Sequence, residues 1–221
     1  MDPDFWLQRW QENKIGFHLD EVNPMLVAHF PELHISPPAR VFVPMCGKSV
    51  DMVWLRARGY EVEAVEISPV AIEAFFREQQ LAAQTQSVDG LTCWQADGLR
   101  IWCADFFALD KSHIGDIDLT YDRAALIAMP GERRPEYARK LLDITNGAPQ
   151  LLITLEYPQS QMSGPPFSVS QAEVAQLYAA AYPGLSGPHE SVDILPSETH
   201  FAARGLTALH ENVYLLQVPK K

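Results

Sequence analysis

The sequence has little cysteine and lacks the residue spacings that are typical of metal sites. Its three cysteines, Cys46, Cys93 and Cys103, are scattered along 221 residues and form no C-x-x-C pair. An odd number of scattered cysteines argues against a disulfide framework and favours a reducing, cytoplasmic location. The seven histidines include no H-x-x-x-H or H-E-x-x-H pair. We therefore expect no metal site.

Positive charge and long apolar runs are also scarce. Lysine and arginine together number 17 against 28 acidic residues, which gives a formal net charge of −11. No basic run is longer than the two residues of Arg133-Arg134. We therefore expect neither nucleic acid nor an anionic membrane surface as a partner. No apolar stretch approaches the length of a membrane span. Residues 1–4 are acidic and precede no apolar segment, so we expect no secretory signal.

The length and the hydrophobic content of 47% suit one α/β domain. We find no internal repeat, low-complexity segment or linker. We therefore predict a single domain over residues 1–221, made of an N-terminal helical flap (1–38) and a core (39–221).

Residues 41–49 form the stretch around which the chain is organised. Residues 41–43 read as a buried strand that Pro44 ends, because proline donates no ladder hydrogen bond. Gly47 allows a tight turn and a close approach to a ligand, and Ser49 is a suitable N-cap. Apolar residues at positions 50, 53, 54 and 57 predict the following helix. A second strand, residues 61–66, ends on Glu66.

This order of strand, loop, helix, strand and acid occurs in nucleotide-binding α/β folds. There the first loop approaches the cofactor, and an acid about 20 residues further on binds the ribose hydroxyls. Glu66 stands at that distance from Gly47. The loop is not G-x-G-x-x-G, which argues against a pyrophosphate site and suits a ribose ligand without phosphates, such as S-adenosylmethionine. An ordinary βαβ unit with a solvated Glu66 fits these residues equally well.

Two aromatic residues lie on one face of the first predicted helix. Asp2 and Pro3 open this helix as N-cap and N1 residues, and it ends near Asn13. Trp6 and Trp10 are four residues apart and share a face. The pair suits ordinary packing, or a flap over a flat aromatic ligand. A second helix is predicted over residues 21–30.

An acid and an aromatic residue follow the next predicted hairpin. Asp97-Gly98, between alternating apolar arms at 91–96 and 99–103, predicts a two-residue turn. Asp105, just beyond, is placed to meet an adenine amino group, with Phe106 packing on the ring. The alternative is that Asp105 caps a turn.

Arg123 follows the fourth predicted core strand, residues 116–122, and faces the crevice where α/β folds bind ligands. The alternative is a structural ion pair of Arg123 with Asp122 or Glu66. Beyond it we predict helices over 132–144 and 169–181, a buried strand over 150–156, a rigid Gly-Pro-Pro-Phe loop at 164–167, and two or three strands after Leu185. The last of these, residues 212–217, should be antiparallel to its neighbours.

Seven motifs follow one another along nearly the whole chain. They are Trp6-x-x-x-Trp10 with Phe17-His18, Val43-Pro-Met-Cys-Gly-Lys-Ser49, Val65-Glu-Ile-Ser68 with Phe75-Phe76, Tyr121-Asp-Arg-Ala-Ala-Leu126, Gly164-Pro-Pro-Phe167, Arg204-Gly-Leu206 and Glu211-x-Val-Tyr-Leu-Leu216. In this order they resemble the motifs of the bacterial branch of the thiopurine S-methyltransferase family. One departure is Met45, where the family usually has leucine, a swap that conserves volume.

The resemblance implies a class I methyltransferase fold: a seven-stranded, mostly parallel sheet with helices on both faces. It implies S-adenosylmethionine as methyl donor, aromatic or heterocyclic thiols as acceptors, and selenium or tellurium compounds as possible further acceptors. The implied cofactor contacts are Trp10, Met45, Glu66 and Arg123, with Asp105 and Phe106 near adenine. Gly47 joins the predicted cofactor-binding residues because of its place in the loop. Phe17 and Arg123 would border the acceptor, with Arg123 as the catalytic residue.

The expected protein is thus a cytoplasmic, monomeric enzyme acting on a small thiol. Methyl transfer to a thiol needs mainly in-line positioning and exclusion of water, and the sequence has no evident Ser/His/Asp arrangement. The alternatives are an O- or N-methyltransferase of the same fold and a non-catalytic S-adenosylmethionine-binding module.

Overall fold

Nine strands form one sheet in the computed structural model, which describes residues 3–218. Their order across the sheet is β3-β4-β5-β2-β1-β6-β7-β9-β8. The strands are β1 (Arg40–Val43), β2 (Glu61–Glu66), β3 (Gln84–Val88), β4 (Leu91–Ala96), β5 (Leu99–Cys103), β6 (Leu119–Arg123), β7 (Gln150–Glu156), β8 (Glu190–Asp193) and β9 (His210–Leu216).

The five central strands, β5, β2, β1, β6 and β7, are parallel to one another. The β3–β4 and β4–β5 pairs at one end and the β7–β9 and β9–β8 pairs at the other are antiparallel. Only β4 and β9 therefore run against the common direction. This confirms the predicted fold class and the antiparallel last strand. The expected count of seven strands was wrong, because the β3–β4 hairpin extends the sheet beyond β5.

Eight helices accompany the sheet in the part of the chain described. Residues of β1 alternate between the two cores: Phe42 packs with α6 and α7, whereas Val41 and Val43 pack with α2, α3 and α4. Helices thus cover both faces, as predicted. The helices are α1 (Pro3–Gln11), α2 (Pro24–His29), α3 (Asp51–Ala57), α4 (Pro69–Glu78), α5 (Lys111–Ile114), α6 (Arg134–Ile144), α7 (Gln171–Tyr178) and α8 (Thr199–Ala203). None of them is long and apolar enough to span a membrane.

Several helix boundaries differ from the sequence prediction. Helix α2 begins at Pro24 rather than at residue 21, because Asn23 Oδ1 accepts hydrogen bonds from the N–H groups of Met25 and Leu26. Helix α6 begins two residues late, after a 3₁₀ turn (Gly131–Arg133), and α7 ends three residues early.

Helix α3 begins one residue later than the cap at Ser49 predicts. Val50 is its N-cap residue, but Ser49 Oγ still accepts a 3.2 Å hydrogen bond from the Asp51 N–H. The predicted cap of α1, Asp2, lies outside the described residues.

The chain order places a ligand crevice between β1 and β6. From β1 the chain proceeds outward through β2 and β5, and from β6 it proceeds in the opposite direction through β7. Open α/β sheets bind ligands at the carboxyl ends of strands where the strand order reverses in this way. The loops that follow β1, β2 and β6 therefore meet at one edge of the sheet.

Candidate functional site

A cavity of about 430 Å³ lies at this edge of the sheet. It is bordered by the carboxyl ends of four neighbouring strands, through Val43, Glu66, Arg123 and Leu155. Its volume lies within the range of small-molecule and cofactor sites. All eight site residues predicted from the sequence border it: Trp10, Phe17, Met45, Gly47, Glu66, Asp105, Phe106 and Arg123. The individual roles of these residues remain predictions.

The loop after β1 is fixed by hydrogen bonds to β2. The Cys46 N–H donates to the Val65 carbonyl over 2.9 Å, and the Gly47 N–H donates to Glu66 Oε2 over 2.9 Å. Both Met45 (φ +47°) and Gly47 (φ +53°) have left-handed backbone conformations. Only glycine adopts this conformation without steric cost, so Met45 is a strained residue beside the cavity.

Trp10 leaves too little space for a side chain at position 47. A Cβ atom at this position would lie 3.0 Å from Cζ2 of Trp10, closer than ordinary van der Waals contact. The absence of a side chain therefore lets the loop and the indole of α1 approach each other at the cavity wall.

Glu66 is buried at the end of β2, with both carboxylate oxygens oriented by backbone groups. Oε2 accepts the hydrogen bond from Gly47, and Oε1 accepts one of 2.8 Å from the Ser68 N–H. Burial raises the pKa of this carboxyl to about 7, although the hydrogen bonds from Ser68, Gly47 and Ile67 oppose the shift. Each carboxylate oxygen can accept a further hydrogen bond. The alternative of a solvated Glu66 is therefore wrong, because the residue is 5% exposed.

The first helix supplies an aromatic wall to the cavity. Phe17 lies edge-to-face against both Trp6 and Trp10, with ring centroids 5.5 and 5.6 Å apart. Trp10 is buried, whereas Trp6 and Phe17 are partly exposed, and all three border the cavity. The aromatic residues thus pack against one another, as one interpretation of the sequence held. The flap over a ligand stays a prediction.

Asp105 and Phe106 border the cavity from the loop after β5. Asp105 is the N-cap of a 3₁₀ helix (Phe106–Ala108), and its carboxylate accepts a 2.9 Å hydrogen bond from the Phe107 N–H. The turn-capping alternative for Asp105 is therefore observed. Phe106 is buried, and its ring packs against Tyr137 with centroids 4.9 Å apart. Contact of either residue with an adenine ring remains a prediction.

Arg123 does not form the structural ion pair that the sequence left open. Asp122 turns into the core, where it accepts hydrogen bonds from the Tyr137 hydroxyl (2.7 Å) and the Leu126 N–H (3.1 Å). Glu66 is bonded to backbone groups instead. Across residues 3–218, the Arg123 side chain forms no ion pair or hydrogen bond, and Arg123 borders the cavity.

Glu211 is an acid whose charge interacts with Arg123 at longer range. Burial raises the pKa of the Glu211 carboxyl, and the charge of Arg123 opposes that shift. Both residues border the cavity. Glu211 therefore balances the positive charge of Arg123 only partly.

Three arginines besides Arg123 border the same cavity: Arg9, Arg133 and Arg204. Arg133 forms a 2.7 Å ion pair with Glu136. Arg9 lies on α1 and its guanidinium is 5.4 Å from the Phe5 ring centroid, while Arg204 follows α8 and lies 5.8 Å from that of Phe201. Neither takes part in an ion pair with any other described residue. The position of Arg9 between Trp6 and Trp10 was a usable signal, and Arg204 stands in the Arg204-Gly-Leu206 motif.

A buried hydrogen-bonded pair at the cavity wall was also missed. The Tyr121 hydroxyl donates to Asp51 Oδ2 over 2.9 Å, and the Asn23 N–H donates to Asp51 Oδ1 over 2.8 Å. Asp51 thus joins β6 and the segment before α2 to the start of α3. This pair accounts for an acid buried in the first turn of α3.

Comparison with known proteins gives a consistent result over the full length of the chain. The sequence model of the family described as thiopurine S-methyltransferase matches residues 1–219. The thiopurine S-methyltransferase of Nitrosospira multiformis is 44% identical over 223 residues, which is 98% of each chain. That of Pseudomonas fluorescens strain SBW25 is 45% identical over 217 residues, covering 98% of this chain and 99% of the relative.

Solved structures with low sequence identity share the fold. The 1,6-didemethyltoxoflavin-N1-methyltransferase of Burkholderia thailandensis, which was crystallised with S-adenosylhomocysteine, aligns with a TM-score of 0.62 at 16% identity, covering 97% of this chain and 87% of its own. A SAM-dependent methyltransferase from Anabaena variabilis aligns with a TM-score of 0.63 at 15% identity, covering 97% and 95%.

Proposed function

Since the chain belongs to the thiopurine S-methyltransferase family, we propose that it methylates the sulfur of aromatic and heterocyclic thiols, including thiopurines, with S-adenosylmethionine as donor. The observation that carries this proposal is the convergence of eight predicted site residues on one cavity at the carboxyl edge of the sheet. The family membership confirms the resemblance drawn from the sequence motifs.

The residues around Glu66 suit the ribose and adenine parts of the donor. The Glu66 carboxylate is held in place by Gly47 and Ser68 and retains acceptor capacity for ribose hydroxyls. Met45 and Trp10 border the same space, as do Asp105 and Phe106 from the loop after β5. When bound, S-adenosylmethionine supplies a methyl group on a positively charged sulfur that is itself a good leaving group.

Arg123 is the residue that we assign to the acceptor. A fixed positive charge stabilises a thiolate relative to a thiol and so lowers the pKa of the acceptor sulfur. The thiolate is the nucleophile, so no side chain has to remove the proton in the transfer step. A cation would repel a sulfonium but attract the acceptor, and Arg123 has no competing partner among the described residues. Phe17 would border the same acceptor.

The N-terminal segment would exclude water from the reacting atoms. Residues 1–38 precede the core strands, and the aromatic cluster of Trp6, Trp10 and Phe17 borders the cavity. Water exclusion strengthens electrostatic interactions within a site and prevents side reactions. In this proposal the flap and the core (39–221) act as one domain.

The unpaired arginines also suit small anionic acceptors. Arg9 and Arg204 add positive charge to a cavity in a protein of net charge −11. Selenium and tellurium anions are therefore included among the proposed acceptors. The same net charge disfavours nucleic acid as a partner. We propose that the protein is a cytoplasmic monomer whose partner is a small molecule.

A comparison of acceptors tests the proposed function. Release of S-adenosylhomocysteine is measured with thiophenol, phenol and aniline under matched conditions. The proposal predicts release with thiophenol and little or none with the other two. A preference for phenol or aniline would indicate an O- or N-methyltransferase. If none of the acceptors in a wider screen, including selenite and tellurite, gave S-adenosylhomocysteine, the protein would be a binding module without activity.

A further inference from the structure

A cluster of two histidines and two glutamates lies away from the cavity. His29 ends α2, Glu32 lies in the 3₁₀ helix that follows (Phe30–Leu33), and His189 immediately precedes Glu190, the first residue of β8. None of the four borders the cavity of the proposed methyl transfer. The cluster joins the segment before the first core strand to an edge strand about 160 residues later in the sequence.

Three of these side chains converge on one point through metal-ligating atoms. Glu32 Oε1 lies 2.9 Å from His29 Nδ1, and Glu32 Oε2 lies 3.0 Å from His189 Nε2. One ligand atom from each residue lies within 4.8 Å of the other two. In a tetrahedral zinc site the ligand atoms are about 2 Å from the ion and therefore roughly 3.3 Å from one another. Small rotations of Glu32 and His189, whose side chains are nearly half exposed, provide that approach.

His29 has the surroundings of a ligand with a supporting carboxylate. It is 7% exposed, and its Nε2 lies 2.6 Å from Glu190 Oε2 but off the line of a hydrogen bond, which leaves this buried nitrogen without a hydrogen-bonding partner among the described residues. A metal on Nδ1 would require the proton to be on Nε2. Metal-ligating histidines usually donate that proton to a carboxylate, which fixes the ring orientation. Glu190 is placed to accept it after a small rotation.

We propose that His29 Nδ1, the Glu32 carboxylate and His189 Nε2 bind one zinc ion, with Glu190 as the carboxylate that orients His29. Two imidazoles and a carboxylate form a donor set that zinc accepts, whereas magnesium and calcium prefer oxygen ligands alone. The two glutamates also balance the charge of a divalent cation. The ion would cross-link the segment that carries α2 to β8 and so stabilise the folded chain. The sequence prediction of no metal site considered only ligands close together in sequence.

Calorimetric titration of the full chain with zinc chloride tests the proposal, because it does not depend on methyltransferase activity. We expect saturable binding of one ion, a rise in the thermal midpoint with zinc, and neither effect with magnesium chloride. His189→Ala and Glu32→Gln alter half-exposed side chains and should each lower the zinc affinity at least tenfold. Glu190→Gln should lower it by about 10- to 100-fold, the range for residues that support a ligand.

His34→Asn is the matched control. It removes an exposed imidazole two residues from Glu32, and asparagine tolerates the left-handed backbone at that position (φ +53°). It should bind zinc as the wild type does, and the metal-free midpoints of all variants should match that of the wild type. Absence of saturable zinc binding by the wild type would overturn the proposal. Wild-type affinity in both His189→Ala and Glu32→Gln would also overturn it, because the ion would then be bound elsewhere.

Discussion

The backbone N–H of Gly47 donates a 2.9 Å hydrogen bond to the carboxylate of Glu66, 19 residues later in the sequence. This bond joins the loop after β1 to the end of β2, and the Cys46 N–H bond to Val65 reinforces the connection. The loop and the acid therefore form one unit at the cavity wall. A change at either residue should affect the position of the other.

Glu66→Gln should weaken binding of S-adenosylmethionine by about 1–3 kcal/mol, the range for loss of a hydrogen bond to a buried charged group. The amide keeps the shape of the side chain but loses the charge and one acceptor oxygen. Isothermal titration calorimetry measures the effect. Glu61→Gln, at the exposed start of the same strand, is the control and should retain wild-type affinity. Equal affinities for the two variants would remove Glu66 from the cofactor site.

The raised pKa of Glu66 predicts how stability depends on pH. Burial raises this pKa from 4.5 to about 7, so the folded state binds more protons than the unfolded state between these values. The contribution of Glu66 to stability therefore falls as the pH rises from about 4.5 to about 7, and it is constant above about 7. In Glu66→Gln the decline should be shallower by up to about 1.4 kcal/mol per pH unit. Urea unfolding of the wild type, Glu66→Gln and Glu61→Gln across this pH range measures the effect. The same pH dependence of the free energy of unfolding in all three proteins would contradict the prediction.

Gly47→Ala should destabilise the fold more than Gly90→Ala. Both glycines have positive φ, so each substitution carries a strain of about 1–2 kcal/mol. Only at position 47 does the new Cβ meet another group, Cζ2 of Trp10 at 3.0 Å, whereas nothing lies within 4 Å of it at position 90. Free energies of unfolding in urea measure the difference. Equal losses would mean that the contact with Trp10 does not constrain the loop.

Binding of S-adenosylhomocysteine should protect helix α1 from hydrogen exchange. If residues 3–11 cover the occupied cavity, their amides should exchange at least about tenfold more slowly in the complex, a difference of about 1.4 kcal/mol in opening free energy. The β3–β4 hairpin does not border the cavity and should exchange at the same rate in both states. Unchanged exchange of α1 would leave its aromatic residues with a packing role alone.

Arg123→Met should slow methyl transfer most for the least acidic thiols. These acceptors depend most on a nearby cation for ionisation, and loss of the guanidinium should reduce their rates by about 10- to 100-fold, the equivalent of a lost charged hydrogen bond. Acidic thiols are already ionised and should lose less. Arg123→Lys keeps the charge but not the planar fork and should lie between Met and the wild type.

Cofactor affinity and the thermal midpoint serve as controls for Arg123→Met. Both should remain close to wild type, because the Arg123 side chain forms no ion pair or hydrogen bond within residues 3–218. A lower midpoint would point to a structural role. A rate loss that is the same for acidic and weakly acidic thiols would show that the charge does not act on ionisation of the acceptor.

The parts of the site formed by short sequence segments could be predicted. Strand β2 has the predicted bounds, and Glu66 ends it beside the loop of Gly47, because buried strands, turn glycines and helix caps leave local patterns. The hairpin turn at Asp97-Gly98 was predicted correctly for the same reason. Asn23-Pro24 carried an equally local signal for the start of α2, which was overlooked.

Other features depend on packing between distant segments. Strand β3 is polar and exposed along most of its length, so its sequence shows no apolar alternation. The orientation of Asp122 towards Tyr137, which leaves Arg123 unpaired, is set by a helix that begins 11 residues after Arg123. The meeting of His29 with His189 depends on the position of an edge strand. Such relationships appear only once the sheet order is known.

Methyl transfer to thiophenol is the measurement that tests the account most directly. The protein is incubated with thiophenol, phenol or aniline and with S-adenosylmethionine that carries a deuterated methyl group, and the products are identified by mass spectrometry. The account predicts that the deuterated methyl group appears on the sulfur of thiophenol, with little or no transfer to phenol or aniline. Transfer to oxygen or nitrogen in preference to sulfur, or no labelled product from thiophenol, would contradict it.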